Sequence, residues 1–96
     1  MRKLQSEVDE LVNELGGYWK PFEMLAALIE ELGEFSKEML KFEGIKGENS
    51  KEKLIEEFGD VLFALVCIAN YYGIDCEEAL RKSISKYANR DLNLWK

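Results

Sequence analysis

Histidine is absent from this chain of 96 residues. With it go the commonest general base, the commonest ligand for the softer metals, and every Ser–His or Cys–His nucleophilic arrangement. Cysteine occurs only as Cys67 and Cys76, which make neither a CxxC motif nor a zinc site. Cys67 lies in an apolar helical run and is expected to be a buried thiol. With so few cysteines a reducing cytoplasm is the default compartment. Basic charge is also scarce, 13 Lys and Arg against 19 Asp and Glu, for a net charge of −6. A nucleic-acid binder needs a basic stripe, so that class is excluded; an acidic protein that handles a polyanion must bring metal ions or a local basic patch. The longest apolar run, Val61 to Ala69, falls well short of the ~20 residues that span a bilayer. No basic stretch followed by an apolar one opens the chain, so it reads as soluble, cytoplasmic and without a membrane partner.

What is present suffices for folding. Hydrophobic residues make up 47% of the chain and charged ones 33%, mixed in sign. That composition predicts one ordered domain over residues 1–96, near the small end of what a single core supports. Apolar residues recur with helical period almost throughout. Leu4, Val8, Leu11, Val12 and Leu15 stripe a first helix that Gly16-Gly17 ends. Pro21 stands in the first turn of a second helix, where its missing N–H does no harm, and Leu25, Leu28, Ile29, Leu32, Phe35 and Met39 carry it to about Phe42. Glu43 to Asn49 reads as a loop. Asn49 with Glu52 has the spacing of a capping box for a third helix, which Gly73 ends. Asp75 with Glu78 repeats that spacing for a fourth, running through Leu80, Ile84 and Tyr87 to about Asn89. No segment alternates with period two, so the fold class is all-α, a four-helix bundle type without a sheet. The third helix is apolar around nearly its whole circumference between Val61 and Ala69. Such a helix should be enclosed on every side, which four short helices do not achieve alone. The expectation is a bundle completed by homo-oligomerisation across a two-fold axis.

The most informative feature is a repeated pentapeptide, Glu30-Glu31-Leu32-Gly33-Glu34 and Glu56-Glu57-Phe58-Gly59-Asp60. On helices, Glu31/Glu34 and Glu57/Asp60 project from one face a turn apart. Like charges four apart, Glu30/Glu34 and Glu56/Asp60, cost a helix roughly 0.2–0.5 kcal/mol per pair. A divalent cation offsets that repulsion. A short loop between the second and third helices makes them an antiparallel hairpin, which brings the two acidic pairs face to face. Four carboxylates without imidazole or thiolate form a hard oxygen site that prefers Mg²⁺, or Mn²⁺, to zinc or copper. A di-iron site on such a scaffold wants Glu-x-x-His and is excluded with histidine. Gly33 and Gly59, each costing its helix about 1 kcal/mol against alanine, fit a place where a backbone or ligand comes close. The ordinary alternative is solvated helix surface, with Lys53 paired to Glu57 and Lys41 to Glu38; the doubling of the whole pattern weighs against it. Hard cations held by one or two carboxylates commonly grasp phosphates, and paired metals clamp an in-line displacement.

Glu31-x-x-Glu34 followed by Glu57-x-x-Asp60 resembles the ExxE…ExxD signature of the MazG-like all-α nucleoside triphosphate pyrophosphohydrolases. Tyr18-Trp19-Lys20-Pro21, Leu28-x-Glu30-Glu31-x-Gly33-Glu34 and Leu54-x-x-Glu57-Phe58-Gly59-Asp60-Val61-Leu62 extend the resemblance. So does the weaker block Leu80-Arg81-x-x-x-x-Lys86-Tyr87-x-x-Arg90, so that it covers roughly residues 18 to 90. It implies Mg²⁺-dependent attack of water on the α-phosphorus of a (deoxy)nucleoside triphosphate, giving the monophosphate and pyrophosphate in nucleotide-pool sanitation. It also implies a homodimer or homotetramer with the pocket near subunit contacts. Carried over, Glu31, Glu34, Glu57 and Asp60 become metal ligands and catalytic residues, and Lys86 and Arg90, from the same or a neighbouring subunit, neutralise phosphate charge. Trp19 stacks on a base or else plugs the bundle end. The chain departs from pyrimidine-preferring branches at Tyr87, near which they carry asparagine, and from some members at Ser83, where they carry lysine. Base preference is therefore left open. Glu30, Glu34 and Glu38 are equal candidates for accepting the water's proton. Tyr71, Tyr72 and Trp95 read as packing or interface residues. The rival class is a non-catalytic helical interaction module whose acidic face docks a basic partner.

Overall fold

The computed structural model describes residues 1–45 and 50–92. Helix α1 spans Arg2–Glu14, α2 Pro21–Phe42, α3 Lys51–Tyr71 and α4 Cys76–Tyr87, and a π-helical turn, Ala88–Leu92, follows. No strand occurs among the described residues.

The helix ends follow from local chemistry. Pro21 opens α2, and the Lys20 backbone N–H donates to Glu23 Oε1 at 3.0 Å. Ser50 caps α3, its Oγ accepting from the Lys53 backbone N–H at 3.3 Å. The expected cap at Asn49 lies outside the described residues. Asp75 caps α4 by accepting from the Glu78 N–H at 3.2 Å, as its spacing predicts. Helices α2 and α3 both end in Schellman geometry. Ile45 N–H reaches Leu40 O at 3.0 Å and Ile74 N–H reaches Ala69 O at 2.8 Å. Each reversal turns on a left-handed glycine, Gly44 at φ +76° and Gly73 at φ +66°.

Helices α2 and α3 form the predicted antiparallel hairpin, the most extensive packing in the chain. Its register is pinned by Phe35 and Phe58, whose rings meet edge to face with centroids 5.5 Å apart. Each phenylalanine directly follows an acid of the repeated pentapeptide, so this contact also sets which acids face each other. Helix α1 crosses α3 and touches α4. At that junction Gln5, only 8% exposed, hydrogen-bonds to Asn70, to the Ile74 carbonyl and to the Cys76 N–H. Polar groups at this burial need partners, and Gln5 supplies them to three segments at once.

The apolar core proper is small: Val12, Met24, Val66 and Ala69. Enclosure of α3 on every side is not met within one chain, where Leu62, Phe63 and Leu65 stay exposed. Phe22, Ile29, Ile55, Leu80 and Ile84 are exposed too. The accessible surface is 7729 Å², against about 5,700 Å² for a compact chain of this mass. The radius of gyration is 16.3 Å, against about 12.5 Å for a compact domain of this length.

Candidate active site

Helix α3 projects Glu57 and Asp60 from one face a turn apart, and the hairpin register sets Glu31 of α2 opposite them. Each of the three carboxylates offers an oxygen within 4.8 Å of the others. None of them pairs with a lysine or arginine among the described residues. The Lys53–Glu57 pair that ordinary surface chemistry offered is not formed, and Glu57 turns to the acids instead. Lys41 does pair with Glu38, at 3.5 Å.

The electrostatics record the crowding. Desolvation first, then the charges of Asp60, Glu30 and Glu34, hold the Glu31 carboxyl above its ordinary range. Glu57 is raised likewise, by desolvation and then by Asp60, Glu31, Glu34 and Glu56. A cluster of hard oxygens that mutually oppose ionisation, with no basic side chain to relieve them, suits a small divalent cation.

Glu34 does not join the trio, although four acids were expected to converge. It is exposed and stands outside the group, yet close enough for its charge to raise both Glu31 and Glu57. A fourth carboxylate brought among three unpaired ones adds repulsion, and an exposed side chain is free to turn to water.

Glu31 and Asp60 close one end of a cleft of about 390 Å³. Its other walls come from α1 and the segment after it, with Val12, Leu15, Gly17, Tyr18 and Trp19, and from the hairpin, with Met24, Ala27, Phe63, Ala64 and Cys67. The cleft exists because Ala27 stands one turn before Glu31 while Ala64 stands one turn after Asp60. Antiparallel register sets the two alanines opposite each other, and their small side chains leave room. That signal was in the sequence, an alanine four residues from an acid on each helix, but only the pairing of the helices gives it meaning. Trp19, 64% exposed, lines the cleft rather than plugging the bundle end. Cys67 is half-buried and lines the same cleft, where burial pushes its thiol pKa up. It is therefore less enclosed than its apolar run suggests, because the facing alanines open that side of α3.

Lys86 and Arg90 are not brought to the acids within the chain. Both lie over the Tyr87 ring, 4.8 and 4.6 Å from its centroid. Arg90 also pairs with Asp91 at 2.7 Å. Neither lines the cleft nor forms an ion pair with any of the four acids among the described residues. The close approach expected at Gly33 and Gly59 is likewise not an intrachain one, since a Cβ at either meets open space. Tyr71 and Tyr72 meet edge to face at 5.0 Å and remain exposed; Trp95 lies outside the described residues.

Comparison with known proteins bears on the fold and the family. An uncharacterised protein of Bacillus subtilis, YpjD, is 40% identical over 99 residues, 99% of this chain and 89% of its own length. The crystal structure of YpjD superposes with a TM-score of 0.83 at 39% identity, covering 90% of this chain and 92% of that one. A Bacillus-conserved MazG protein, described as a nucleotide pyrophosphohydrolase, gives a TM-score of 0.80 at 36% identity, covering 90% and 86%. The nucleoside triphosphate pyrophosphohydrolase MazG of Thermotoga maritima is 31% identical over 83 residues, which are 86% of this chain but 29% of that longer protein. Residues 20–95 match the MazG nucleotide pyrophosphohydrolase domain, and the chain belongs to that family, whose members are hydrolases acting on acid anhydrides.

Proposed function

We propose that the chain hydrolyses nucleoside or deoxynucleoside triphosphates to the monophosphate and pyrophosphate, using Mg²⁺ or Mn²⁺. The observation that carries this is the convergence of Glu31, Glu57 and Asp60 at the end of a cleft that Trp19 lines. The three carboxylates hold the cation, and Glu34, exposed outside the group, stays free of it. When bound, a divalent cation supplies the positive charge that lets an acidic site receive a triphosphate. Trp19 offers an aromatic face to the base.

In the reaction, water oxygen forms a bond to the α-phosphorus. The bond from that phosphorus to the α,β-bridging oxygen breaks, and pyrophosphate leaves with the electron pair. The water's proton goes to a carboxylate. Glu38 is a poor acceptor, being buried and paired with Lys41. Glu34 is the better one, because its charge is felt by both Glu31 and Glu57.

The active form in this reading is a homodimer or homotetramer. The surplus surface of roughly 2,000 Å² per chain over a compact monomer matches what obligate partners bury. Lys86 and Arg90 then neutralise phosphate charge from a neighbouring copy. The cellular role is removal of unwanted nucleotides in the cytoplasm; no helix among the described residues is long and apolar enough to cross a membrane.

Pyrophosphate release is to be measured across the eight common NTPs and dNTPs with Mg²⁺ and Mn²⁺. At least one is expected to turn over, and Asp60→Asn or Glu57→Gln to abolish turnover while the protein stays folded. A folded oligomer inert toward all eight would overturn the enzymatic reading and favour a docking module.

A further inference from the structure

The wall of the cleft that faces α3 is tied down from outside the acid hairpin. The Tyr18 hydroxyl donates to Asp9 Oδ1 at 2.6 Å, and Asn13 Nδ2 donates to Asp9 Oδ2 at 3.3 Å. Both oxygens of one carboxylate are thus engaged, and the Tyr18 bond lies at the short, strong end for a hydroxyl on a carboxylate. Burial, and after it the Asp9 bond, push the Tyr18 phenol up to about 12. It therefore remains a donor throughout the neutral range.

The residues just before Tyr18 are Gly16 and Gly17, at φ +113° and +103°. Their N–H groups close the end of α1 on the Asn13 and Val12 carbonyls, at 3.2 and 2.9 Å, which holds the chain as far as Gly17; the Asp9 bond extends that hold to Tyr18. The residue just after is Trp19, 64% exposed. Asp9 does not line the cleft and is not one of the clustered acids. Its carboxylate has another use.

We propose that Asp9 and Tyr18 form a positioning clamp for the base half of the site. By anchoring Tyr18 to α1, the clamp sets Trp19 at the distance from Ala64 and Cys67 that admits a nucleobase between them. The phosphates go to the acidic end. The inference rests on the reading of this cleft as the nucleotide site. It makes α1 part of substrate recognition, although residues 1–19 precede the segment that matches the family domain.

The test compares Asp9→Ala and Asp9→Asn in the full chain, with inorganic tripolyphosphate as a probe of the phosphate end alone. Asp9→Ala is expected to raise KM for the best nucleoside triphosphate roughly tenfold, the size of one lost charge-assisted hydrogen bond. It is expected to leave kcat and the inhibition constant of tripolyphosphate within twofold. Asp9→Asn keeps an oxygen that accepts from Tyr18 and is expected to restore most of KM. Should Asp9→Ala fold poorly, Tyr18→Phe removes the same bond and is expected to give the same KM rise. An unchanged KM in the folded variants overturns the clamp, as does an equal loss toward tripolyphosphate or an Asp9→Asn variant as impaired as Asp9→Ala. In those cases the nucleotide reading survives. Parent protein that neither turns over any nucleotide nor is bound by tripolyphosphate overturns that reading, and the clamp with it.

Discussion

Gln5 and Asn70 exchange hydrogen bonds across α1 and α3. The Gln5 amide donates to Asn70 Oδ1 at 3.0 Å, and the Asn70 amide donates to the Gln5 backbone carbonyl at 2.9 Å. The Gln5 side chain also accepts from the Cys76 N–H at 2.9 Å and donates to the Ile74 carbonyl at 2.9 Å. A single buried amide therefore joins α1, the end of α3 and the start of α4, where apolar packing is thin.

Replacing Gln5 by leucine leaves the Cys76 N–H, the Ile74 carbonyl and one side of Asn70 without their partner. Each buried polar group so orphaned costs roughly 1–3 kcal/mol. The expected result is a loss of about 2–4 kcal/mol in stability and a drop in Tm of more than ~8 °C, read at fixed protein concentration because assembly contributes. Asn70→Ala is expected to cost less, and the double variant less than the sum, since the two share one network. An additive double variant means that the two amides act separately.

Much of the fold was legible because helices announce themselves locally. Period and glycines placed α2, α3 and α4, cap spacing found Asp75 for α4 but pointed to Asn49 where Ser50 caps α3, and the Schellman glycines fell where the stripes stop. The acid repeat was legible for the same reason, as spacing on one helix face. What the residues hid depends on two helices at once. Nothing around Ala27 or Ala64 marks a cleft until the register opposes them, and nothing around Gln5 marks a junction until α3 and α4 meet α1. Glu34 is expected with the other acids because spacing records the face of a helix, not whether an exposed side chain on that face meets the others. The antiparallel pairing itself was predicted from the loop, and it sets Glu31 against Glu57 and Asp60 but does not bring Glu34, Lys86 or Arg90 to them.

The acid trio makes stability depend on pH and on divalent cations together. Glu31 and Glu57 have folded-state pKa values above the ordinary carboxylate value of 4.5. Protonation therefore favours the folded state. The stability these two groups contribute is fully present below their ordinary range and is lost as pH rises through the elevated folded values. Without divalent cations, Glu57→Gln is expected to raise Tm at pH 7.5 and to change it little near pH 4. Asp75 has the opposite sign. The Arg2 hydrogen bond and the Glu78 N–H hold it below 3.8, so its contribution is present above that value and lost under stronger acid. Adding Mg²⁺ at 100 times its dissociation constant is expected to stabilise the parent by about 2.7 kcal/mol. That shift should shrink toward pH 5, as protons compete for the same oxygens, and vanish in Glu57→Gln. A Mg²⁺ shift that survives in Glu57→Gln places the cation elsewhere.

The exposed face of α4 bears on assembly. Leu80, Ile84 and Tyr87 are 61%, 59% and 48% exposed, and α4 leans on α1 rather than on the hairpin. A single chain gains nothing by lining up these residues. Sedimentation of the parent protein is expected to give two or four copies. Ile84→Glu places a charge in the uncovered stripe and is expected to yield a smaller species with turnover reduced at least tenfold, because Lys86 and Arg90 then lose the neighbouring acids they serve. Retention of both the assembled mass and the activity in Ile84→Glu removes α4 from the interface.

Base discrimination follows from the walls of the cleft. Apart from Glu31 and Asp60 at its acidic end, the side chains lining it with polar atoms are Tyr18, Trp19 and Cys67. The Tyr18 hydroxyl already donates to Asp9. Sites built to hydrogen-bond a substrate group reject analogues lacking it by about 10⁴–10⁵, whereas apolar pockets that read size alone separate them by roughly 10–200-fold. The cleft is of the second kind, shaped by facing alanines and an aromatic wall. The ratio of kcat/KM between the best and worst bases, at fixed sugar, is expected to stay below about 10³. Filling the slot with Ala64→Leu should weaken every nucleotide, purines more than pyrimidines, while the Mg²⁺ shift in Tm is preserved. Discrimination beyond 10⁴ would mean that a hydrogen-bonding group outside this cleft reads the base edge.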